Sequence, residues 1–165
     1  MSVPTARDLM TDRVLAVQAD WSLEELASFL TDHGISGAPV VSEYGNVIGV
    51  VSMTDLARHN SEAPSDSGEQ EEPPAYFLGE ATTKAEQEAV KAVHRRPDAT
   101  VRDVMMPALF TVEEDAPINE VADRMVRGHL HRLLVVRAET KRDIVGIVSS
   151  MDLLEWIRAQ RDTTS

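Results

Sequence analysis

The chain has 165 residues, 42% of them hydrophobic, no cysteine, and 16 Lys and Arg against 28 Asp and Glu, a formal net charge of −12. That charge opposes attraction to a nucleic-acid backbone or an anionic membrane surface. The lack of cysteine excludes disulfides, thiolate metal sites and cysteine nucleophiles together. The opening MSVPTARDLM has no apolar run of signal-peptide length, and no stretch approaches the roughly 20 apolar residues that span a bilayer, so a soluble, cytoplasmic protein is expected.

In chain order, the first strong element opens at Ser22, which with Glu25 three residues on forms a capping box. Leu23, Leu26, Ala27 and Leu30 then recur at helical spacing as one buried stripe, and Gly34 marks the exit. Ala38–Val41 and Val47–Val51 are short apolar runs either side of a polar turn (Glu43–Asn46), two strands of a hairpin. A second helix starts at Ser52. Composition changes over residues 60–99: Ser61–Glu80 holds six acids and no Lys or Arg, a solvated segment, and Thr82–His94 favours a short helix. Tyr76-Phe77-Leu78 interrupts the acids as an anchor that either pins the linker locally or docks on a partner. From residue 100 the pattern returns. A helix carries Ile118, Val121, Ala122 and Met125, with Pro117 in its first turn and Gly128 at its exit. Strands follow over Leu133–Val136 and Ile144–Val148, then a helix from Ser149.

The return is an internal repeat. Arg7-Asp8-Leu9-Met10 recurs as Arg102-Asp103-Val104-Met105, and Gly49-Val-Val-Ser-Met-Thr-Asp55-Leu as Gly146-Ile-Val-Ser-Ser-Met-Asp152-Leu. The offset grows from 95 to 97, which places two extra residues in the turn Arg137–Asp143. The copies are residues 1–59 and 100–161, separated by the linker 60–99 and followed by the tail 162–165. Each copy, of about 60 residues, is near the lower limit for a stable core, so the two are expected to share one. The expected fold is α/β of the α+β type: two β-α-β-β-α repeats packed as one pseudo-symmetric pair.

The repeated Gly-h-h-Ser-x-x-Asp, the Met closing each opening segment and the Pro39-Val-Val41 strand resemble a CBS-domain pair, the Bateman module. The resemblance covers both copies and leaves out the linker. It implies a regulatory module that binds an adenosine-containing ligand in the cleft between repeats, and association into a homodimer.

Ser52 and Asp55, with their counterparts Ser149 and Asp152, have two compatible readings. One is a helix N-cap with an acid at the third position, a purely structural device. The other is the ligand role the resemblance implies, with the aspartate on ribose hydroxyls and the serine toward phosphate. His131 and Arg132 resemble the His-Arg step of nucleotide-binding members such as the γ subunit of AMP-activated protein kinase, and arginine suits phosphate. The alternative pairs Arg132 with a nearby acid. Ser36 and Gly37, their matches in the first copy, lack charge, so two unequal sites are expected. Ala38, Leu130, Thr54 and Met151 complete the candidate ligand-binding set. Val14–Val17, Leu109–Val112 and Ile35 are ordinary core or part of an adenine slot, and Trp156 with Leu153, Leu154 and Ile157 covers a core or a dimer face. His129 and His131 lack a third metal ligand, so no metal site is expected.

No GxGxxG, P-loop, HExxH or GxSxG is present. The leading expectation is therefore a non-enzymatic regulatory homodimer that requires no cofactor, binds AMP, ADP or ATP, and signals to a separate client protein. The alternatives are a ligand-free dimeric scaffold, or a sensor of S-adenosylmethionine or a dinucleotide.

Overall fold

A computed structural model describes residues 2–60, 73–78, 84 and 98–162. The fold is mixed α and β. Its elements in order are α1 (Ala6–Leu9), β1 (Val17–Gln18), α2 (Leu23–His33), β2 (Gly37–Val41), β3 (Val47–Ser52), α3 (Met53–Asn60), α4 (Ala75–Leu78), α5 (Val101–Val104), β4 (Thr111–Glu113), α6 (Ile118–Gly128), β5 (Arg132–Val136), β6 (Ile144–Ser149) and α7 (Ser150–Asp162). The strands form two three-stranded sheets, β1-β2-β3 and β4-β5-β6, each with a parallel first pair and an antiparallel second pair. All but Lys84 of the helix expected over 82–94 lies outside the described residues. Among the described residues no helix is long and apolar enough to cross a membrane.

The chain divides into two compact units. One runs from Leu15 to Tyr76 and also takes in the stretch ending at Leu109. Here the Ser22–Glu25 capping box forms as expected, with the Glu25 backbone N–H donating to Ser22 Oγ at 3.1 Å and the Ser22 N–H to Glu25 Oε2 at 2.8 Å. Leu23, Leu26 and Leu30 of α2 bury against Val17, Val40, Val51 and Leu56, and Gly34 closes the helix in the left-handed region at φ 63°. Val101 and Val104 of α5 join this core. The residues after α5 extend the sheet: Val50 and Met106 exchange two backbone hydrogen bonds, at 2.9 and 2.8 Å. Gly49 permits that approach, since a Cβ there would stand 2.6 Å from the Met106 carbonyl oxygen.

The other unit holds the chain up to Val14, Phe77, and the chain from Phe110 on. Its sheet receives the N-terminal segment in the same way. Thr11 and Ile147 exchange backbone bonds at 2.8 and 2.9 Å, and Met10 and the Thr11 carbonyl oxygen occupy the space a Cβ on Gly146 would need. Each Arg-Asp-h-Met segment thus belongs, by contact, to the unit of the other repeat's sheet. Arg7 pairs with the buried Glu114, which fixes α1 in place. Phe77 is fully buried, its ring set edge-on to Phe110 at 5.1 Å, and its carbonyl accepts the His131 N–H at 2.8 Å.

Ile118, Val121 and Met125 form the buried face of α6. Pro117 is the N-cap of α6 and not a first-turn residue. The left-handed exit residue is His129, at φ 52°, one position beyond the expected glycine. Gly128 is required for another reason: a Cβ there would meet the Leu130 side chain at 2.9 Å. The two extra residues fall in the expected turn. Ser42 donates to the Asn46 carbonyl at 2.8 Å and Arg137 to the Asp143 carbonyl at 2.9 Å, and the longer loop turns through Lys141 at φ 55°.

Candidate functional site

Each antiparallel hairpin feeds a helix at its Ser-x-x-Asp junction. At β3–α3 the Ser52 N–H and Oγ–H both donate to Asp55 Oδ2, at 2.8 and 3.0 Å, and the Asp55 N–H donates back to Ser52 Oγ at 3.3 Å. At β6–α7 the matching distances are 2.7, 3.0 and 3.4 Å between Ser149 and Asp152. The residue just before the neighbouring strand, β2 or β5, docks on each helix start through one further bond: Met53 N–H to the Ser36 carbonyl at 2.8 Å, Ser150 N–H to the His131 carbonyl at 3.0 Å. In both aspartates all the bonding falls on Oδ2, so Oδ1 accepts nothing among the described residues.

The surroundings differ. Ser52 and Asp55 are buried, at 4% and 6% exposure, whereas Ser149 and Asp152 are half-buried. Burial pushes the Asp55 carboxyl above the ordinary carboxylate value, against the opposing pull of the Ser52 hydrogen bonds and the Arg58 charge. Register places Gly37 opposite Ser52 but Arg132 opposite Ser149. Beside Arg132, the exposed His131 has its Nδ1 3.5 Å from Ser150 Oγ. The second junction therefore has a half-open carboxylate, a hydroxyl and an imidazole, with an arginine in register opposite its serine, where the first has a glycine.

Asp152 also borders an open recess of about 380 Å³ lined by Pro4, Asp8, Leu9, Asp152, Glu155 and Trp156. Three carboxylates in that lining repel phosphate and attract cations. The sequence pattern pointed to neither Asp8 nor Pro4 as neighbours of Asp152.

The remaining candidates separate. Ala38 and Leu130 are buried, Thr54 is half-buried and Met151 is exposed. Of the adenine-slot segments, Val17 is core, Ile35 is half-buried and Leu109 is exposed. His129 and His131 are not alternate strand residues, because β5 starts at Arg132 and His129 is the left-handed cap of α6. No group of three or more potential metal ligands occurs among the described residues. Tyr76 and Phe77 are both buried, so the anchor is an intrachain contact.

A profile of the CBS domain matches this chain twice, over residues 6–62 and 101–159. The chain belongs to the CBS-domain family. MJ1426 of Methanocaldococcus jannaschii is 28% identical to this CBS-domain pair over 159 residues, which are 90% of this chain and 88% of the relative. The L-aspartate semialdehyde sulfurtransferase of the same organism is 23% identical over 151 residues, and that match covers 92% of this chain but 23% of the sulfurtransferase. Among solved structures, CBSX2 in complex with AMP superposes with a TM-score of 0.63 at 20% identity, covering 95% of this chain and 98% of the solved one. The CBS-domain pair of MJ0100, in complex with 5′-methylthioadenosine and S-adenosyl-L-methionine, superposes with a TM-score of 0.62 at 21% identity, covering 96% and 99%. These structural likenesses establish the fold of a CBS-domain pair.

Proposed function

We propose that this CBS-domain pair is a non-enzymatic regulatory module that binds an adenosine-containing ligand, AMP, ADP or ATP foremost, at the β6–α7 junction. Asp152 Oδ1 would take the ribose hydroxyls, and Ser149, His131 and Arg132 would face the phosphates. The supporting observation is the half-open Ser149–Asp152 junction, with Arg132 in register opposite Ser149 and His131 Nδ1 3.5 Å from Ser150 Oγ. The adenosine compounds bound by CBSX2 and the MJ0100 pair agree with the ligand class. The exposed Met151, Leu154 and Ile157 at helical spacing on α7 favour a homodimer face. Ligand binding would signal to a separate client protein in the cytoplasm.

A second reading is favoured by one observation. The carboxylates of Asp8, Asp152 and Glu155 suit a cationic adenosyl compound such as S-adenosylmethionine better than a phosphate.

Thermal unfolding with AMP, ADP, ATP or S-adenosylmethionine tests both readings. A ligand at about 100 times its dissociation constant adds roughly 2.7 kcal/mol. An AMP shift that disappears in Asp152→Ala supports the nucleotide site, and a shift with S-adenosylmethionine alone supports the second reading. A shift that survives Asp152→Ala refutes the residue assignment. No shift with any of the four favours a ligand-free scaffold.

A further inference from the structure

A residue far from the first junction in sequence packs beside it. Tyr76 of α4 is 3% exposed, and its Cδ2 stands 2.9 Å from the point a Cβ on Gly37 would occupy. The Ser52 Cα lies 3.3 Å from the same point. The phenol ring, the bare Cα of Gly37 and the start of the Ser52–Asp55 cap therefore converge at one place. In the second unit the matching strand position carries Arg132. A side chain at position 37 would meet both the ring and the Val51 carbonyl oxygen, which lies 2.7 Å from the same point, in an interior with no spare volume.

The approach to this seat is stiff. Pro73 and Pro74 precede Ala75, and Pro74 is itself buried. Proline fixes φ, so the segment loses less entropy on docking than a flexible linker would. Ser52 and Asp55 are themselves buried, at 4% and 6% exposure.

We infer that Tyr76 is a built-in plug of the first Ser-x-x-Asp junction. The chain's own aromatic ring keeps that junction shut, so that one ligand site per chain is open, and displacing α4 uncovers a second. A ligand for the first junction has to expel the ring first. Its apparent affinity is therefore lowered by the fraction of time the plug is out, and its binding is coupled to release of the linker. The count of ligand sites rests on the nucleoside reading proposed above; the closure itself does not.

Two measurements on the full chain keep these apart. The first is calorimetric titration with AMP. The unsubstituted protein binds one AMP per chain and Asp152→Ala binds none. Tyr76→Ala binds two, and Tyr76→Ala with Asp152→Ala binds one. If AMP binds to the unsubstituted protein and Tyr76→Ala, still folded by circular dichroism, also binds only one, the inference is overturned.

The second needs no ligand. The chain has no cysteine, so Ser52→Cys introduces a sole thiol. Its alkylation by iodoacetamide should rise at least tenfold when Tyr76→Ala is added. It should stay slow with Tyr76→Phe, which keeps the ring. Ser149→Cys, in the other unit, should label at the same rate with or without Tyr76→Ala. Unchanged labelling of Ser52→Cys, or equal labelling with Tyr76→Phe and Tyr76→Ala, overturns the plug. If AMP binds to none of the proteins while labelling responds as stated, the nucleotide reading falls and the plug stands.

Discussion

The β3–α3 and β6–α7 junctions make the same three hydrogen bonds, with distances that agree within 0.1 Å. The same backbone and hydroxyl donation to a carboxylate three residues on occurs at Thr5–Asp8, at 2.8 and 3.1 Å, and at Thr100–Asp103, at 2.8 and 3.3 Å. Neither of those sites has a cation opposite its threonine: Thr5 bridges to Pro117 and Thr100 to Ser22. The Ser/Thr-x-x-Asp unit is thus foremost a way to start a helix, and its presence alone says nothing about binding. The two junctions differ in what surrounds the unit: Gly37 with a tyrosine ring packed on it opposite the serine in one, Arg132 opposite the serine and a half-open carboxylate in the other.

Exchanging the residue opposite the serine should give the largest effect. Gly37→Arg drives a side chain into the Tyr76 ring and sets its Cβ 2.7 Å from the Val51 carbonyl oxygen. Overpacking against backbone costs about 3 kcal/mol, the upper part of the usual range. Arg132→Gly, at a half-buried position, should cost about 1 kcal/mol, mostly from glycine in a strand. Urea unfolding of both variants measures the gap. Equal costs would mean that the ring does not define the first junction.

Gly37 also shows where sequence reading stopped. The helices of α2 and α6, the two hairpins and the longer second turn were legible, because each is encoded within about 15 residues by periodicity, a cap or a turn. The exchange of opening segments was not. Arg7–Met10 and Arg102–Met105 are so alike that local pattern gives no reason for one to choose either sheet. Pairing through Thr11–Ile147 and Met106–Val50 is settled only by long-range packing. A signal for the plug existed and was not used: a glycine within a strand marks close approach of other atoms, and Gly37 stands where the other copy has arginine. His129 was hidden by its neighbour. A glycine beside a helix end suggests the left-handed residue, yet Gly128 is needed to admit Leu130, and histidine tolerates positive φ better than most residues. At the candidate site, the Ser149–Asp152 pairing was legible from the repeat, while Arg132 was singled out by the His-Arg resemblance. Asp8 and Pro4 were not, because they reach Asp152 from the far end of the chain.

Removing the serine hydroxyl should separate the junctions by a smaller margin. Ser52→Ala leaves a buried carboxylate and the α3 start without their shared hydroxyl, at a cost of about 2 kcal/mol. Ser149→Ala loses the same bonds where water can replace them, at about 1 kcal/mol. If the order were reversed, exposure would not be the quantity that distinguishes the two caps.

The smallest effect is a pH dependence, and it isolates Asp55. Burial raises its carboxyl above the ordinary 3.8, and the hydrogen bonds from Ser52 and the Arg58 charge offset part of that rise. A carboxyl whose value is higher in the folded chain binds more protons there than in the unfolded chain between the two values. Its contribution to stability is therefore full below 3.8, declines as pH rises through the raised value, and is constant above it. Asp55→Asn lacks the titration but keeps a similar shape. The difference in Tm, unsubstituted protein minus Asp55→Asn, should fall across that window and then level off. Taking the difference cancels the other acids, which titrate alike in both proteins. A difference that is flat or rises with pH would show that hydrogen bonding to Ser52 outweighs burial at the first junction. The closed environment inferred from Tyr76 and Gly37 would then not be felt by the carboxylate it encloses.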